Sequence, residues 1–421
     1  MMFYLLLVVY NLIWLGSLVF FVPYYLIRRE NCILKDRLGF LDLEETEFIW
    51  IHAASVGEIK IAKKLIEELR NKTIQPIVVT VVTKSGYELF QNMQHSLGYN
   101  VYLKYAPFDF LPIILGWINK LKVQKFIAIE TEIWPNYIFS CFLEDVPIYI
   151  ANARISDKSY PKYSKYSWFF TPILQKFTMI FAQSKDDKKR FVNLGAKSER
   201  VLVTENIKYD LIEVANDINH LKSKLFDKRS VWTCGSIRSG EEKIVVQTFI
   251  DAKKQVADLL LVIAPRHLEN VPKIVKMLDE FQVSHVLLSD IKDYRAKAKT
   301  IVVDVLVVDV MGELVDIYKN SDVVFVGGSL VDKGGQNIIE PASLGKLVLF
   351  GPYMQNFRDV AKKFLEAKGA IQVKNQKDLT EKVVRYLQNK DDRCHIAHKV
   401  LKCLKDNKGG AKQTVEYIFA K

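Results

Sequence analysis

Cysteine is scarce and scattered. Cys32, Cys141, Cys234, Cys394 and Cys403 are the five in 421 residues, and no two form a CxxC pair. Such spacing excludes a disulfide framework and a cysteine zinc site, and it places the soluble part in a reducing compartment. The dinucleotide fingerprint GxGxxG is also missing, which disfavours nicotinamide and flavin chemistry. There is no low-complexity tract, and with 49% hydrophobic and 26% charged residues disorder is not a candidate for most of the chain. Charge is absent from the whole stretch Met1 to Ile27. A run of roughly 20 apolar residues is enough to cross a bilayer as a helix.

That N-terminal run lacks the basic start and the small-residue cleavage site of a signal peptide, and it lacks the strong polar face of a helix lying in the interface. A membrane-crossing anchor over residues 1–27 is therefore the first expectation, with a helix lying in the interface as the alternative. Arg28, Arg29, Lys35 and Arg37 follow at once, which puts the rest of the chain on the cytoplasmic side. The net charge of +12 points to anionic partners without saying which kind.

Beyond the anchor, short β-branched runs alternate with amphipathic segments. Strands are predicted at 48–53, 76–82, 99–105, 125–130, 147–153 and 179–183. A second set falls at 231–236, 258–264, 284–290, 300–309, 322–328 and 346–352. The alternation reads as βαβ units on parallel sheets, and its repetition on either side of a polar linker at 208–230 predicts two doubly wound α/β domains facing a cleft. The expected boundaries are 28–207 and 231–400, with a C-terminal helix over 401–421 that crosses back to the first domain.

Ligands of open parallel sheets bind beyond the carboxyl ends of the strands. At the first such end, "HAASVGE" offers Ser55, Gly57 and Glu58 opening a helix, either as an anion site or as an ordinary capping box. "ETEIWPN" delivers Glu130 and Glu132 two apart. On extended backbone that spacing puts both carboxylates on one side, either to supply a general base or to brace a loop through Lys or Arg. In the second half, Glu241 and Glu242 fall in a first helical turn, and Arg266 with His267 end a strand. Met311, Gly312 and Glu313 begin a helix. "GGSLVDKGGQNIIEPA" follows a buried strand with Gly327, Gly328, Ser329, Gly334, Gly335, Asn337 and Glu340. A lone histidine is more often structural, but glycines, helix starts and an arginine at successive strand ends suit a nucleotide phosphate. The segment 158–177 interleaves Lys158, Lys162, Lys165 and Lys176 with aromatic residues. This pattern fits single-stranded nucleic acid or an anionic membrane surface, and the neighbouring anchor favours the membrane.

Taken in order, the anchor, "DRLGF", "HAASVGE", "ETEIWPN", "ANARIS", "KYD", "GEE", "APRHLE", "MGEL", "GGSLVDKGGQNIIEPA" and "GPYMQNF" resemble the 3-deoxy-D-manno-oct-2-ulosonic acid (Kdo) transferases of lipid A assembly. These are membrane-bound glycosyltransferases of the GT-B architecture. The resemblance implies transfer of Kdo from CMP-Kdo to a lipid A precursor, with inversion, at the inner membrane, and without metal or other cofactor. It implies no nucleic-acid partner; its partners would be CMP-Kdo, the lipid acceptor and membrane phospholipids. The second domain would hold the donor through Arg266, His267, Met311, Gly312, Glu313, Gly327, Gly328, Ser329, Asn337 and Glu340. The first would take the acceptor through Ser55, Gly57, Glu58, Lys162, Lys165 and Lys208. The family's proposed base, a Glu just before Arg-x-Gly, is here Asp36, one methylene shorter, with Glu130 and Glu132 as further catalytic candidates. Arg238 stands where the family usually shows His, and Glu205 where Gly is common. Rival readings are a GT-B enzyme using another sugar nucleotide, or a membrane-tethered binding protein without chemistry.

Overall fold

The computed structural model describes residues 2–43, 47–212, 226, 229–291 and 302–420. Two compact units divide the chain: Met1–Leu211 with Lys408–Lys421, and Ile212–Asn407.

In the first unit seven parallel strands lie in the order β3-β2-β1-β4-β5-β6-β7. They are β1 (Ile49–Ala53), β2 (Ile77–Val81), β3 (Val101–Tyr105), β4 (Lys125–Ile129), β5 (Ile148–Ala153), β6 (Met179–Ala182) and β7 (Val201–Val203). Helices cover both faces, so β1, β2 and β5 are buried at every position and read as unbroken apolar runs. On one face Trp50 and Phe126 pack with Trp117 and Tyr137. On the other, Ile51, Val79 and Ile127 meet the apolar stripe Ile59, Ala62, Leu65, Ile66 and Leu69 of the helix Val56–Arg70, whose spacing is that of an amphipathic helix. Strand order reverses between β1 and β4, which opens a crevice at their carboxyl ends.

The second unit has β8 (Ser230–Ile237), β9 (Leu259–Pro265), β10 (His285–Leu287), β11 (Val305–Val307), β12 (Val323–Val326), β13 (Leu347–Phe350) and β14 (Ile371–Gln372). Their order is β10-β11-β9-β8-β12-β13-β14, again all parallel, with the reversal between β8 and β12.

The twelve predicted strands are all present, several of them shorter. Residues 300 and 301 of one prediction lie outside the described residues, as do 213–225 and 227–228 of the linker. Two strands went unpredicted, β7 and β14, edge strands whose three and two residues are too short to show a strand period. Glu130 is not on extended backbone: β4 ends at Ile129, and Glu130 has φ 60 in a turn. Nor do Met311 and Gly312 open a helix, which runs Leu314–Asn320 with Glu313 as its cap. The terminal helix over 401–421 is in fact two, Lys390–Asp406 and Gly410–Phe419, separated at Gly409 with φ 106.

The N-terminal helix α1 (Met2–Ile27) is long and apolar enough to cross a membrane. A short helix α2 (Asn31–Arg37) follows.

Helix Gly410–Phe419 is secured to the first unit by Asp210, whose carboxylate accepts from Gly409 N (2.5 Å) and Ala411 N (2.8 Å). Gly410 admits no side chain, since a Cβ would come within 2.0 Å of the Glu205 carbonyl oxygen. Asp210→Ala should cost about 2 kcal/mol through these charge-assisted bonds. Calorimetry should show a lowered thermal midpoint, and an unchanged midpoint would mean that Ala411, Val415 and Ile418 dock the helix by themselves.

Candidate functional site

At the β1 and β4 carboxyl ends, three glutamates converge on the crevice of the first unit. Ser55 caps the helix Val56–Arg70, its Oγ accepting from Glu58 N at 3.4 Å. The Glu58 carboxylate folds back, Oε1 accepting from Ser55 Oγ and Oε2 from Ala54 N, both at 2.7 Å. Both oxygens therefore serve the turn, in the manner of a capping box. Burial pushes Glu58 up to about 7, against the Ser55 hydrogen bond, and the charges of Glu132 and Glu130 add to the rise. Gly57 lies exposed in the first helical turn, with only Ser55 Oγ, at 3.9 Å, near the place of a Cβ.

Because the chain turns at Glu130, Glu130 and Glu132 have different partners. Glu130 donates its N–H to the Ala151 carbonyl (3.0 Å), and its Oε1 lies 2.7 Å from Lys208 Nζ. Lys208 is held in turn by amides at neighbouring strand ends. Asn206 Oδ1 accepts from Lys208 N (3.0 Å), Asn206 Nδ2 donates to Gln183 (2.7 Å), and Asn152 accepts from Ile207 N (3.0 Å). The Trp134 indole donates to Glu132 Oε2 at 2.5 Å, and the buried His52 Nε2 lies 3.6 Å from the same oxygen. Burial alone would raise Glu132, but His52 and Trp134 outweigh it and hold the carboxyl below its usual range. His52 was not among the residues expected at the site. Its signals in the sequence are a polar residue inside the apolar run "FIWIHA" and its place at the start of "HAASVGE", and Thr80 Oγ1, 3.0 Å from its Nδ1, orients it.

Asp36 sits near the end of β3, two strands from β1 in the sheet. Its Oδ2 accepts from Tyr105 N (2.9 Å) and its Oδ1 lies 3.5 Å from Lys104 Nζ. The end of α2 that carries it is stapled down by Arg37, which donates to Ala106 O (2.7 Å) and Val82 O (2.6 Å). Burial pushes Asp36 up, with Tyr105 and Lys104 opposing. Lys162 and Lys165 are exposed on the short helix Tyr160–Lys165. In the same helix Tyr163 is raised by burial and then by the Glu132 charge.

At the matching crevice of the second unit, one residue organises the loops. Glu241 is fully buried, and its carboxylate accepts four backbone N–H groups: Arg238 (3.0 Å) and Gly328 (2.6 Å) at Oε2, Ser329 (3.0 Å) and Leu330 (2.9 Å) at Oε1. The N–H groups of Gly328 and Ser329 are thus directed at a protein carboxylate and are not open to a donor phosphate. Gly327 is needed for the same packing, since a Cβ there would fall 2.6 Å from Ile237 Cα. Arg266 and His267 are exposed at the end of β9, and Arg238 Nη1 lies 2.5 Å from His267 Nε2. Met311 is exposed, and Gly312 has φ 90 with open space around it. Asn337 donates to Glu340 Oε1 and accepts from Ile339 N, both at 3.0 Å. Among the described residues no group of three or more His, Cys, Asp and Glu side chains is placed to hold a metal ion.

A family profile described as 3-Deoxy-D-manno-octulosonic-acid transferase (kdotransferase) matches residues 33–211. A 3-deoxy-D-manno-octulosonic acid transferase of Haemophilus influenzae is 31% identical over 395 residues, covering 91% of this chain and 90% of its own length. A bifunctional glycosyltransferase/methyltransferase of Fusobacterium nucleatum is 35% identical over 386 residues, which are 90% of this chain and only 59% of that protein. Among solved structures, the UDP-GlcNAc 2-epimerase of Neisseria meningitidis bound to UDP-GlcNAc superposes with a TM-score of 0.61 at 14% identity, over 89% of this chain and 100% of its own. That likeness is one of fold, the two-domain GT-B architecture.

Glu241→Gln keeps the shape but turns an NH2 toward N–H donors, and should cost about 3 kcal/mol. Urea unfolding of the full chain should show it, and an unchanged midpoint would place the loop's stability elsewhere. For Glu58 the folded state prefers the protonated acid, so its contribution is present below 4.5 and is lost as pH rises to about 7. Stability measured across that window should therefore fall less steeply in Glu58→Gln than in the wild type, and parallel curves would assign the titration to other groups.

Proposed function

Because the chain belongs to the 3-deoxy-D-manno-octulosonic acid transferase family, we propose that it transfers Kdo from CMP-Kdo to a hydroxyl of a lipid A precursor, with inversion at the sugar carbon. The observation that carries this reading is the 31% identity to a transferase of that name over nine-tenths of both chains. The arrangement of carboxylates at the first unit's crevice supports it.

In this reading the acceptor oxygen attacks the anomeric carbon as the bond to the CMP phosphate breaks, and a carboxylate takes the acceptor's proton. The four candidates differ in how free they are to do so. Glu130 is neutralised by Lys208, Glu58 spends both oxygens on its own turn, and Glu132 is a weak base beside His52 and Trp134. Asp36 is paired more loosely, its Oδ1 3.5 Å from Lys104 Nζ against 2.7 Å for Lys208 on Glu130, and burial raises its basicity, so we assign it the proton. Glu132, with His52 behind it, would bear on the positive character that develops at the sugar carbon. In the second unit Arg266 and the Arg238–His267 pair would meet the CMP phosphate, and Asn337 with Glu340 would accept from sugar hydroxyls. No metal or other cofactor has a step in this scheme. The acceptor is a lipid, so the enzyme would work on the cytoplasmic face of the inner membrane, with Lys162 and Lys165 toward anionic headgroups. Binding to that surface raises the effective concentration of acceptor.

The test is transfer from CMP-Kdo to a tetra-acylated lipid A precursor by detergent-solubilised protein, followed by mass spectrometry. A lipid heavier by one or two Kdo is the expected product. Absence of product with active donor present, but turnover of another sugar nucleotide, would reassign the donor. CMP-Kdo binding without any transfer would leave a binding protein. Asp36→Asn should lower kcat by about 10²-fold or more, the usual contribution of a general base. Its affinity for CMP should not change, and full activity in this variant would move the base to Glu132.

A further inference from the structure

The helix α1 is apolar, yet it carries Tyr10 and Asn11 near its middle, and both are bonded to the first unit. Tyr10 donates to Asp109 Oδ2 at 2.6 Å. Asn11 donates to Asn136 Oδ1 and accepts from Leu111 N, both at 2.9 Å. Ring contacts extend this seam in both directions, with centroids of Tyr4 and Phe139 6.0 Å apart, Trp14 and Phe108 5.7 Å, Phe21 and Phe108 5.5 Å, and Tyr25 and Phe108 6.4 Å. Positions 4, 7, 11, 14, 21 and 25 are separated by three, four or seven residues, so they form one stripe on one side of the helix, with Leu7 buried in it.

The length of that seam decides the helix's attitude. From Tyr4 to Tyr25 it runs roughly 32 Å at 1.5 Å per residue, about the full thickness of the hydrocarbon core. A docked α1 that crossed the bilayer would submerge the unit along the same depth. The elements it docks on end in exposed charges, Lys122 after the helix Leu111–Leu121 and Glu144 with Asp145 after the helix Pro135–Leu143. Charges in the bilayer core are costly and need partners. A helix lying flat avoids that cost, and the polar side that such a helix ordinarily turns to water is here turned to the protein.

The opposite side of α1 is left for lipid. Val19, Phe20 and Ile27 are 70%, 77% and 81% exposed. Phe142, stacked on the Phe139 that meets Tyr4, extends the apolar surface beside the Tyr4 end, and Trp168 is exposed on the helix Ser167–Leu174, which α1 touches. Cations border it. Lys176 Nζ lies 3.3 Å from the Phe142 ring centroid, Arg28 covers Tyr24 at 4.8 Å, and Lys165 flanks Tyr166 at 5.6 Å. Apolar surface rimmed by snorkelling cations matches one leaflet with anionic headgroups.

We propose that α1 lies in the plane of the membrane as a monotopic anchor, latched to the first unit through Tyr10–Asp109 and Asn11–Asn136, with its outer face, Phe142 and Trp168 in a single anionic leaflet. This assigns the N-terminal segment a different role from the membrane crossing that its composition alone predicts.

Full-length protein with an epitope tag at each end, in sealed inverted inner-membrane vesicles, tests the topology. Protease added outside should remove both tags together, and survival of the N-terminal tag while the C-terminal one is lost would overturn the proposal. Co-flotation with phosphatidylcholine vesicles should rise several-fold when phosphatidylglycerol is included and fall with salt; equal binding to both would refute the anionic leaflet. The double variant Tyr10→Phe, Asn11→Leu keeps the helix apolar while removing the latch. In detergent, tryptic cleavage at Arg28 and Arg29 should become several-fold faster in it, and an unchanged rate would refute the latch.

Discussion

In each unit a parallel sheet reverses direction beside its first strand, and the loops leaving that point carry backbone N–H groups with no partner in the sheet. The same kind of group answers both needs. Glu58, in the first turn after β1, takes Ala54 N and the Ser55 hydroxyl, and Glu241, capping the helix after β8, takes four N–H groups of two loops. These two carboxylates fix the turn that opens the first helix beside each crevice. The glycines of "GGSL" permit the close approach of β12's loop to Ile237 and Glu241, which makes them scaffold for the rim of the second unit.

Once Glu58 is spent on structure, the other acids of the first unit sort themselves by partner. A lysine neutralises Glu130, a histidine and an indole lower Glu132, and burial raises Asp36. Glu132 and Asp36 thus acquire opposite shifts in basicity from their surroundings, and that difference underlies the division of roles proposed for them. Lys208 owes its position to Asn152, Gln183 and Asn206, side chains at the ends of consecutive strands that act only through the cation they help to place.

The N-terminal helix shows the same economy in another solvent. Tyr10 and Asn11 would be liabilities in hydrocarbon, and Asp109 would be a buried acid without a hydroxyl partner. Joined, they satisfy one another, and Asp109 also accepts from Asn136 N (3.0 Å) and Tyr137 N (3.1 Å) at the start of the next helix. Helix α1 is thereby built into the same hydrogen-bond system as the unit's interior.

The period of apolar residues was enough to read two α/β halves, twelve strands and an apolar N-terminal helix, because strands buried on both faces and amphipathic helices leave their pattern along the chain. The motif order likewise sufficed for the family, since quoted runs such as "HAASVGE" and "ETEIWPN" are local. Edge strands β7 and β14 left no such pattern. Partnership was also beyond reach: that Glu130 turns away from Glu132, that His52 stands behind Glu132, that Glu241 and not a phosphate receives the N–H groups of Gly328 and Ser329, and that α1 has a docked side. Each of these pairs residues far apart in the chain or depends on a single backbone angle, φ 60 at Glu130. Periodicity records which face of an element is buried, whereas only the tertiary structure decides which group meets it there.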